Sequence, residues 1–197
     1  MNLVANLPMP FKHHAALYVA IAAALLGVQA VALHMMGMPA ICRCGYVSLW
    51  YGNPSGPDTS QHLTDWYTYT HVLHGVTFYW LLSIMVPKLS IPQRFVLAVG
   101  VETAWEIFEN TPMVIERYRK GALAQGYFGD SIVNSLSDSA AAVVGFVLAW
   151  RLPVAVIFAL AVAAELLAGY IIRDGLLLNL VQLVYPSDVL SQWQARR

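Results

Sequence analysis

The chain has 197 residues, of which 58% are hydrophobic and only 11% are charged, and its formal net charge is zero. Soluble domains usually carry about 25% charged residues. The composition therefore argues against a soluble enzyme, and the absence of excess positive charge argues against nucleic acid as a partner. We predict a single integral membrane domain over residues 1–197.

Five apolar segments have the length, or nearly the length, needed to cross the roughly 30 Å hydrocarbon layer of a bilayer. In chain order they cover residues 15–34, 69–86, 95–109, 131–150 and 153–172. Prolines at positions 87, 92, 112 and 153 fit the boundaries of these segments. We expect the first segment to be retained as a helix rather than cleaved as a signal peptide, because its apolar stretch continues past the small residues at 28–30.

After the fifth segment, residues 176–185 form an apolar run that is too short to cross a bilayer. Such a run is expected to lie in the membrane interface. The sequence therefore predicts an all-α fold: a polytopic transmembrane helix bundle of about five spans plus a C-terminal interfacial helix. The membrane lipids are its first expected partner.

Acidic residues lie inside or at the ends of these apolar segments, and no Lys or Arg lies within the segments to neutralise them. Ionisable groups inside a membrane are costly, and by default they indicate a functional site. The acidic groups are Glu102, Glu106, Glu109, Asp130, Asp138 and Glu165. The three glutamates of the third segment are spaced i, i+4, i+7 and therefore share one helical face.

With five crossings, the polar ends of the segments would meet at one membrane face. His71 and His74 open the second segment, and Asp130, Asn134 and Asp138 form an i, i+4, i+8 ladder at the start of the fourth. A rise of about 1.5 Å per residue separates the side chains into two layers. The predicted outer layer holds His71, Glu109, Asp130 and Arg173, and the predicted inner layer holds Glu102, Asp138 and Glu165.

Two histidines among several carboxylates suit a divalent metal ion such as Zn, Mn or Fe. The predicted metal ligands are His71, His74, Glu106, Glu109 and Asp130. The predicted catalytic groups are Glu106, Glu109, Asp130, Asp138 and Asn134. The alternative is that the deep carboxyl groups are protonated and hydrogen-bonded to polar side chains of neighbouring helices.

A basic stretch at residues 116–120 lies between the third and fourth segments. Guanidinium groups bind phosphate through two parallel hydrogen bonds, and basic groups at a membrane surface are placed to hold lipid head groups. We therefore predict that Arg117, Arg119 and Arg173 bind the anionic group of a phospholipid or lipid-linked phosphate. The alternative is an ordinary charged loop or a topology signal.

Sulfur ligands occur near the end of the first segment, in the sequence HMMGM followed by CRCG. Thioether and thiolate groups suit Cu(I), although methionines at a helix end are more often packing residues. A haem bridged between His34 and His71 is a further alternative. Because both cysteines, Cys42 and Cys44, fall in one short stretch, no disulfide framework can be built from them.

Several strings together carry a resemblance to a known family: CRCG at 42–45, SQHLTDWY at 60–67, WEIFEN at 105–110, RYR at 117–119 and GDSIVNS at 129–135. They resemble UPF0314, an uncharacterised family of bacterial multi-pass membrane proteins with a domain of unknown function (DUF2585). The resemblance implies a multi-pass protein of the bacterial plasma (inner) membrane and carries no established activity. More distantly, His74, Glu106, the 130–138 ladder and Gly145 are similar to VanZ-like membrane proteins, which implies a related helical core.

Two functional hypotheses follow from the residues. The first is a metal- or proton-dependent membrane-embedded enzyme that acts on a lipid or lipid-linked phosphate at one membrane face. The second is a non-catalytic membrane subunit or assembly factor, whose polar cluster fixes helix packing or docks a partner.

Overall fold

The computed structural model describes residues 9–121 and 123–195. In this part of the chain the fold is all-α, with eight helices, no strand and one isolated bridge between Tyr51 and Asp65. The helices are α1 (Met9–Met35), α2 (Thr68–Met85), α3 (Ile91–Glu109), α4 (Pro112–Arg119), α5 (Ile132–Arg151), α6 (Val154–Ile171), α7 (Leu176–Val184) and α8 (Asp188–Ala195).

The five predicted spans correspond to α1, α2, α3, α5 and α6, and the predicted interfacial run corresponds to α7. Helix α3 begins at Ile91, four residues earlier than expected, because Ser90 and Gln93 form a reciprocal capping box. The short helices α4 and α8 were not predicted. Pro112 reads as a helix breaker in the sequence, but it occupies the first turn of α4, where its missing N–H costs nothing.

Three helices are long and apolar enough to cross a membrane: α1 over Ala16–Met35, α5 and α6. The part of the chain that the structure describes is therefore compatible with a membrane protein. Helices α2 and α3 have 18 and 19 residues but carry histidines and glutamates among their apolar residues. The expected total of five crossings stays a prediction for these two helices.

Helices α2 and α5 approach each other through a pair of glycines. A Cβ atom on Gly75 would lie 1.9 Å from the carbonyl oxygen of Ala142, and one on Gly145 would lie 1.9 Å from that of Val72. Only residues without a side chain permit two helix backbones to come this close. This approach brings the polar faces of α2 and α5 together.

The long loop between α1 and α2 packs against the start of α5. The backbone N–H groups of Ser131 and Ile132 donate to the carbonyl oxygens of Ser60 and Pro39, at 2.9 and 2.8 Å. These bonds satisfy helix-start donors that lack partners within the helix itself.

The same loop holds a disulfide bond between Cys42 and Cys44. Only one residue separates the two cysteines, so the bond links no distant segments. The expectation that the cysteines build no disulfide framework agrees with this arrangement.

Candidate functional site

The centre of the polar cluster is His71, a buried residue of the first turn of α2. Its Nδ1 atom lies 2.7 Å from Oε1 of Glu102 and 3.1 Å from Oε1 of Glu106, both on α3. Its Nε2 atom lies 3.9 Å from Oδ2 of Asp138 on α5. Helices α3 and α5 thus place three carboxylates around the imidazole of α2.

His74, one turn further along α2, extends the cluster and is more exposed than His71. Its Nδ1 atom lies 3.2 Å from Oε2 of Glu102. Its ring stands edge-on to Trp105, with centroids 5.7 Å apart, and packs against Phe78. The rings of Trp105 and Phe78 restrict the orientation of the His74 imidazole. The Glu102 carboxylate therefore lies between two histidines, His71 and His74.

The side chains form three overlapping groups that could each hold a metal ion, and within each group one ligand atom per residue lies within 4.8 Å of the others. The groups are His71, His74 and Glu102; His71, Glu106 and Asp138; and Glu106, Glu109 and Asp130. Zn²⁺ lies about 2.0–2.2 Å from nitrogen and oxygen ligands, so atoms at these separations can converge on one ion after small side-chain rotations. His71 and Glu106 belong to two groups each.

Several buried oxygen atoms of the cluster lack hydrogen-bond partners within the described residues. These atoms are Oε1 of Glu106, Oδ1 of Asp138 and Oγ1 of Thr103. The contact of Glu106 with His71 is not a hydrogen bond, because the same ring nitrogen is engaged by Glu102 at 2.7 Å. A buried acceptor without a donor is costly, and a cation satisfies such acceptors.

The other oxygen of Glu106 is held by a chain of hydrogen bonds that sequence reasoning missed. The Ser135 hydroxyl donates to Oε2 of Glu106 at 2.6 Å, and the Gln29 amide donates to Oγ of Ser135 at 2.7 Å. The Ser139 hydroxyl in turn donates to Oε1 of Gln29 at 2.8 Å. The available signal was Gln29 itself, an amide within an otherwise apolar span.

Asp130 is held at the start of α5 by residues from outside the helix. The Asn110 amide donates to Oδ2 at 2.7 Å, and the Tyr127 hydroxyl donates to Oδ1 at 2.9 Å. Gly129, with φ of +99°, turns the chain so that the backbone N–H of Asp130 reaches Oδ1 of Asn110 at 2.7 Å. Burial raises the pKa of the Asp130 carboxyl above its ordinary value, and the two side-chain hydrogen bonds oppose that rise.

The cluster borders a cavity of about 460 Å³. Its acidic and histidine lining comprises His71, His74, Glu109, Asp130, Asp138 and Asp174. Its apolar lining includes Phe78, Trp105, Leu123, Leu176, Leu180 and Leu183. Two basic residues, Arg117 and Lys120, also line it. The cavity therefore combines an acidic wall, an apolar wall and two basic side chains.

Two predicted site residues have other partners. Asn134 donates to the carbonyl oxygen of His62 at 2.8 Å and so ties α5 to the α1–α2 loop. Glu165, which was expected in the inner layer, instead accepts the backbone N–H groups of Leu176 and Leu177 and the hydroxyl of Tyr69. The expectation for Glu165 was wrong because this carboxylate, six residues before the end of α6, lies beside the N–H groups that begin α7 and have no partner within that helix.

The predicted two-layer arrangement is also wrong for His71. This residue was expected beside Glu109 but lies against Glu102 and Glu106. The two layers follow from the rise per residue of the backbone alone. Side chains are several ångströms long, so a side chain from one layer can contact a residue of the other. Glu102, which the sequence places on the same face as Glu106 but which was left out of the predicted ligands, is therefore a central member of the cluster.

The three predicted anion-binding arginines have different surroundings. Arg117 lines the cavity, and its Nε–H donates to the carbonyl oxygen of Leu183 on α7 at 3.0 Å. Arg119 donates to the carbonyl oxygen of Tyr127. Arg173 donates to the carbonyl oxygen of Trp193 at 3.0 Å and so connects to α8. Anion binding stays a prediction, and the geometry favours Arg117 for it.

Comparison with known proteins assigns the chain to a family. The profile of a family described as "Protein of unknown function (DUF2585)" matches residues 33–196. A UPF0314 protein of Rhizobium meliloti is 45% identical over 195 residues, which cover 99% of each chain. The chain belongs to the UPF0314 family. Members from Sinorhizobium fredii and Brucella anthropi are 49% and 42% identical over 175 and 195 residues, covering 87% and 99% of this chain and 89% and 99% of theirs.

No solved structure matches this UPF0314 chain. The names of these relatives describe no reaction. The likeness to VanZ-like proteins stays a prediction.

Proposed function

We propose that the protein is a metal-dependent, membrane-embedded enzyme that acts on a lipid or lipid-linked phosphate at one membrane face. The observation that carries this proposal is the buried histidine–carboxylate cluster bordering a cavity that is also lined by apolar and basic side chains. A packing motif alone needs no cavity beside it. An amphipathic phosphate ester would occupy such a space, with its chain against the leucines and its phosphate near the basic groups.

The donor set suits a divalent ion. Nitrogen and carboxylate oxygen ligands are those of Zn, Mn and Fe sites in hydrolytic enzymes. A bound divalent ion would supply Lewis-acid polarisation of a phosphoryl oxygen and a more acidic bound water. Of the residues in this chain, His71 and Glu106 would be shared ligands, since each belongs to two of the overlapping groups.

Partly exposed groups on the cavity wall would contact the substrate. Glu109 is half-buried and lies at the cavity beside Asp130. We assign it the exchange of a proton with the attacking or leaving oxygen, the role of a general acid–base. Arg117 would hold the phosphate from the α4 side of the cavity, where its charge offsets that of the substrate.

The first test is the metal content of detergent-purified protein, measured by elemental mass spectrometry. We expect a stoichiometric metal in the wild type and its loss in Glu106→Gln and His71→Ala. The matched control is Glu165→Gln, which changes a carboxylate outside the cluster and should retain the metal. A metal-free wild type, even after incubation with Zn²⁺ or Mn²⁺, would exclude the metal-dependent reaction.

The second test addresses the substrate. Total lipid extracts from a deletion strain and from strains that carry wild type or Glu106→Gln should differ in the amount of a phosphate-bearing lipid. The wild-type gene should restore the normal profile and the variant should not. Identical profiles in all strains would contradict a reaction on a lipid phosphate while leaving the metal result standing.

A specific observation favours the alternative of a non-catalytic subunit. The hydrogen-bond chain through Gln29, Ser135 and Glu106 ties α1 to α5 and α3, which is what a packing motif does. In that case Glu106→Gln would mainly lower the melting temperature or the recovery of a co-purified partner. If Glu106→Gln keeps the wild-type melting temperature but loses the lipid product, the enzyme hypothesis is favoured over the non-catalytic subunit.

We also propose that α2 and α3 cross the membrane with the three more apolar helices, giving five spans in the bacterial plasma membrane. This arrangement is supported by the packing of α2 against α5 through Gly75 and Gly145. The test is membrane fractionation combined with reporter fusions after α2 and after α3. Reporters on the same side of the membrane would contradict a crossing by α3.

A further inference from the structure

A second group of potential ligands lies in the α1–α2 loop and shares no residue with the cluster described above. It consists of Cys42, Cys44, Asp58 and His62, and one ligand atom from each lies within 4.8 Å of the others. Cys42 and His62 are buried, Asp58 is half-buried and Cys44 is exposed. The group is therefore formed inside the folded loop and is reached from one side.

The two cysteines are bonded to each other in the structure, but this bond closes a very short loop. Only one residue lies between Cys42 and Cys44. A disulfide stabilises more when it closes a longer loop, so this one restrains little. The exposed sulfur of Cys44 is open to attack by a thiolate, which is how disulfides are opened. A chemical role therefore explains the cysteine pair better than a structural one.

His62 supplies an independent indication of a missing ligand. Its ring is buried between Tyr46 and Tyr51, with centroid distances of 5.3 and 5.4 Å. Its Nδ1 atom accepts a long hydrogen bond of 3.2 Å from the N–H of Ser48. Its Nε2 atom is buried without a hydrogen-bond partner among the described residues. A buried imidazole nitrogen without a partner is costly, and coordination to a metal gives it one.

Asp58 completes the set. Its Oδ1 atom lies 3.6 Å from the sulfur of Cys42. Two sulfurs, one nitrogen and one carboxylate oxygen match the four-coordinate sites that Zn²⁺ occupies. The carboxylate and imidazole ligands favour Zn²⁺ over Cu(I), which prefers sulfur alone.

We propose that Cys42, Cys44, Asp58 and His62 bind one zinc ion when a thiol reductant has opened the Cys42–Cys44 disulfide. Two reductant thiols are oxidised to their own disulfide, and their two electrons and two protons convert the protein disulfide to two thiols. The zinc ion then displaces both thiol protons and binds the thiolates. His62 coordinates the ion through Nε2, and its ring proton moves to Nδ1, which then gives up its long contact with the Ser48 N–H. Zinc loading therefore reports the redox state of the loop.

The test uses full-length protein in detergent, stripped of metal with a chelator and divided into an oxidised and a phosphine-reduced sample. Co²⁺ is added as a spectroscopic probe for zinc. We expect a thiolate-to-cobalt charge-transfer band in the reduced sample only, saturating at one equivalent in Glu106→Gln, where the first site is lost, and we expect its loss when Zn²⁺ is added. Cys44→Ser, which changes an exposed side chain and leaves a single thiolate, should lose at least half of the band and its dependence on the reductant.

Two variants test the remaining ligands. His62→Ala and Asp58→Asn should each weaken cobalt binding in the reduced protein, whereas His34→Ala, at an exposed histidine, should not. Glu106→Gln should leave the band unchanged, which separates this site from the first. If His62→Ala does not fold, Asp58→Asn decides. No charge-transfer band in reduced wild type, or an undiminished band in Asp58→Asn, would overturn the four-ligand site.

Discussion

Two carboxylates within apolar segments of this protein have opposite surroundings. At the corner between α6 and α7, Glu165 accepts two backbone N–H groups and the hydroxyl of Tyr69. In the interior between α2, α3 and α5, Asp138 has a buried oxygen without a hydrogen-bond partner among the described residues. Hydrogen bonds within the fold account for the burial of the Glu165 carboxylate, whereas those of the described residues leave one oxygen of Asp138 without a donor. An acidic residue in an apolar segment therefore indicates a site only after its hydrogen bonds have been counted.

The largest effect is expected where the geometry of the interior is disturbed without touching a ligand. In Gly145→Ala the new Cβ would lie 1.9 Å from the carbonyl oxygen of Val72, so α2 and α5 must separate. We expect the free energy of unfolding in detergent to fall by about 3 kcal/mol, the upper end for overpacking. Because His71 moves with α2, the bound metal should also be lost.

Gly169→Ala is the matched control for that variant, because a Cβ on Gly169 meets nothing within 4 Å. Thermal denaturation and elemental mass spectrometry of both variants provide the measurement. An unchanged melting temperature in Gly145→Ala would mean that the helices do not pack as closely as described.

Asp138→Asn should separate metal binding from stability. The change removes one predicted contributor to the ion but keeps the size of the side chain. We expect metal content to fall severely while the free energy of unfolding of the metal-free protein stays the same or rises by about 1 kcal/mol, because a buried charge without a full set of partners is removed. Chelator-treated samples supply the metal-free reference. A large loss of stability without loss of metal would identify Asp138 as a packing residue.

Glu165→Ala should show the reverse pattern. Helix α7 loses the acceptor for its first N–H groups, so we expect a loss of about 1–2 kcal/mol in the free energy of unfolding with unchanged metal content. Glu165→Gln, which keeps one acceptor oxygen, should lose less. Loss of the metal in both variants would mean that Glu165 contributes to the metal site, and Glu165 and Asp138 would then not differ in function.

The smallest effect is expected for Tyr127→Phe, which removes one hydroxyl from Asp130. We expect a loss of about 1 kcal/mol in stability and roughly tenfold weaker metal binding, as for other residues that orient a ligand. Tyr170→Phe, at a side chain that is 87% exposed, is the control. Competition with a metal-sensitive dye measures both affinities. Equal affinities would mean that the Tyr127 hydroxyl does not orient a metal ligand.

The sequence predicted the long helices because apolar length is a local property. The i, i+4, i+7 spacing of Glu102, Glu106 and Glu109 likewise predicted a shared face that the structure contains. The sequence also predicted that the histidines of α2 and the aspartates of α5 would lie near these glutamates, but it did not predict that α1 would join them. The contact of Ser135 with Glu106 and the contact of Gln29 with Ser135 depend on how α1, α3 and α5 rotate against each other, and no local pattern contains that rotation.

The wrong placement of Glu165 has a physical origin. Glu165 was assigned by depth along its own helix, but its partners are the N–H groups of α7, a neighbour created by the turn at residues 172–175. Backbone groups at the start of α7 thus competed with the expected site, and sequence patterns of side chains do not show that competition. Arg119 and Arg173 each donate to a backbone carbonyl, and their role in anion binding stays a prediction.

The bonds between the start of α5 and the α1–α2 loop have a consequence for biosynthesis. The carbonyl groups that receive the first N–H groups of α5 belong to Pro39 and Ser60, both upstream in the chain. Since a ribosome delivers the chain from its N-terminus, these acceptors leave the ribosome before α5 does. The acceptors for the first N–H groups of α5 are therefore already present when α5 is synthesised. A permuted protein in which the α1–α2 loop follows α5 in the chain should fold more slowly than the native protein.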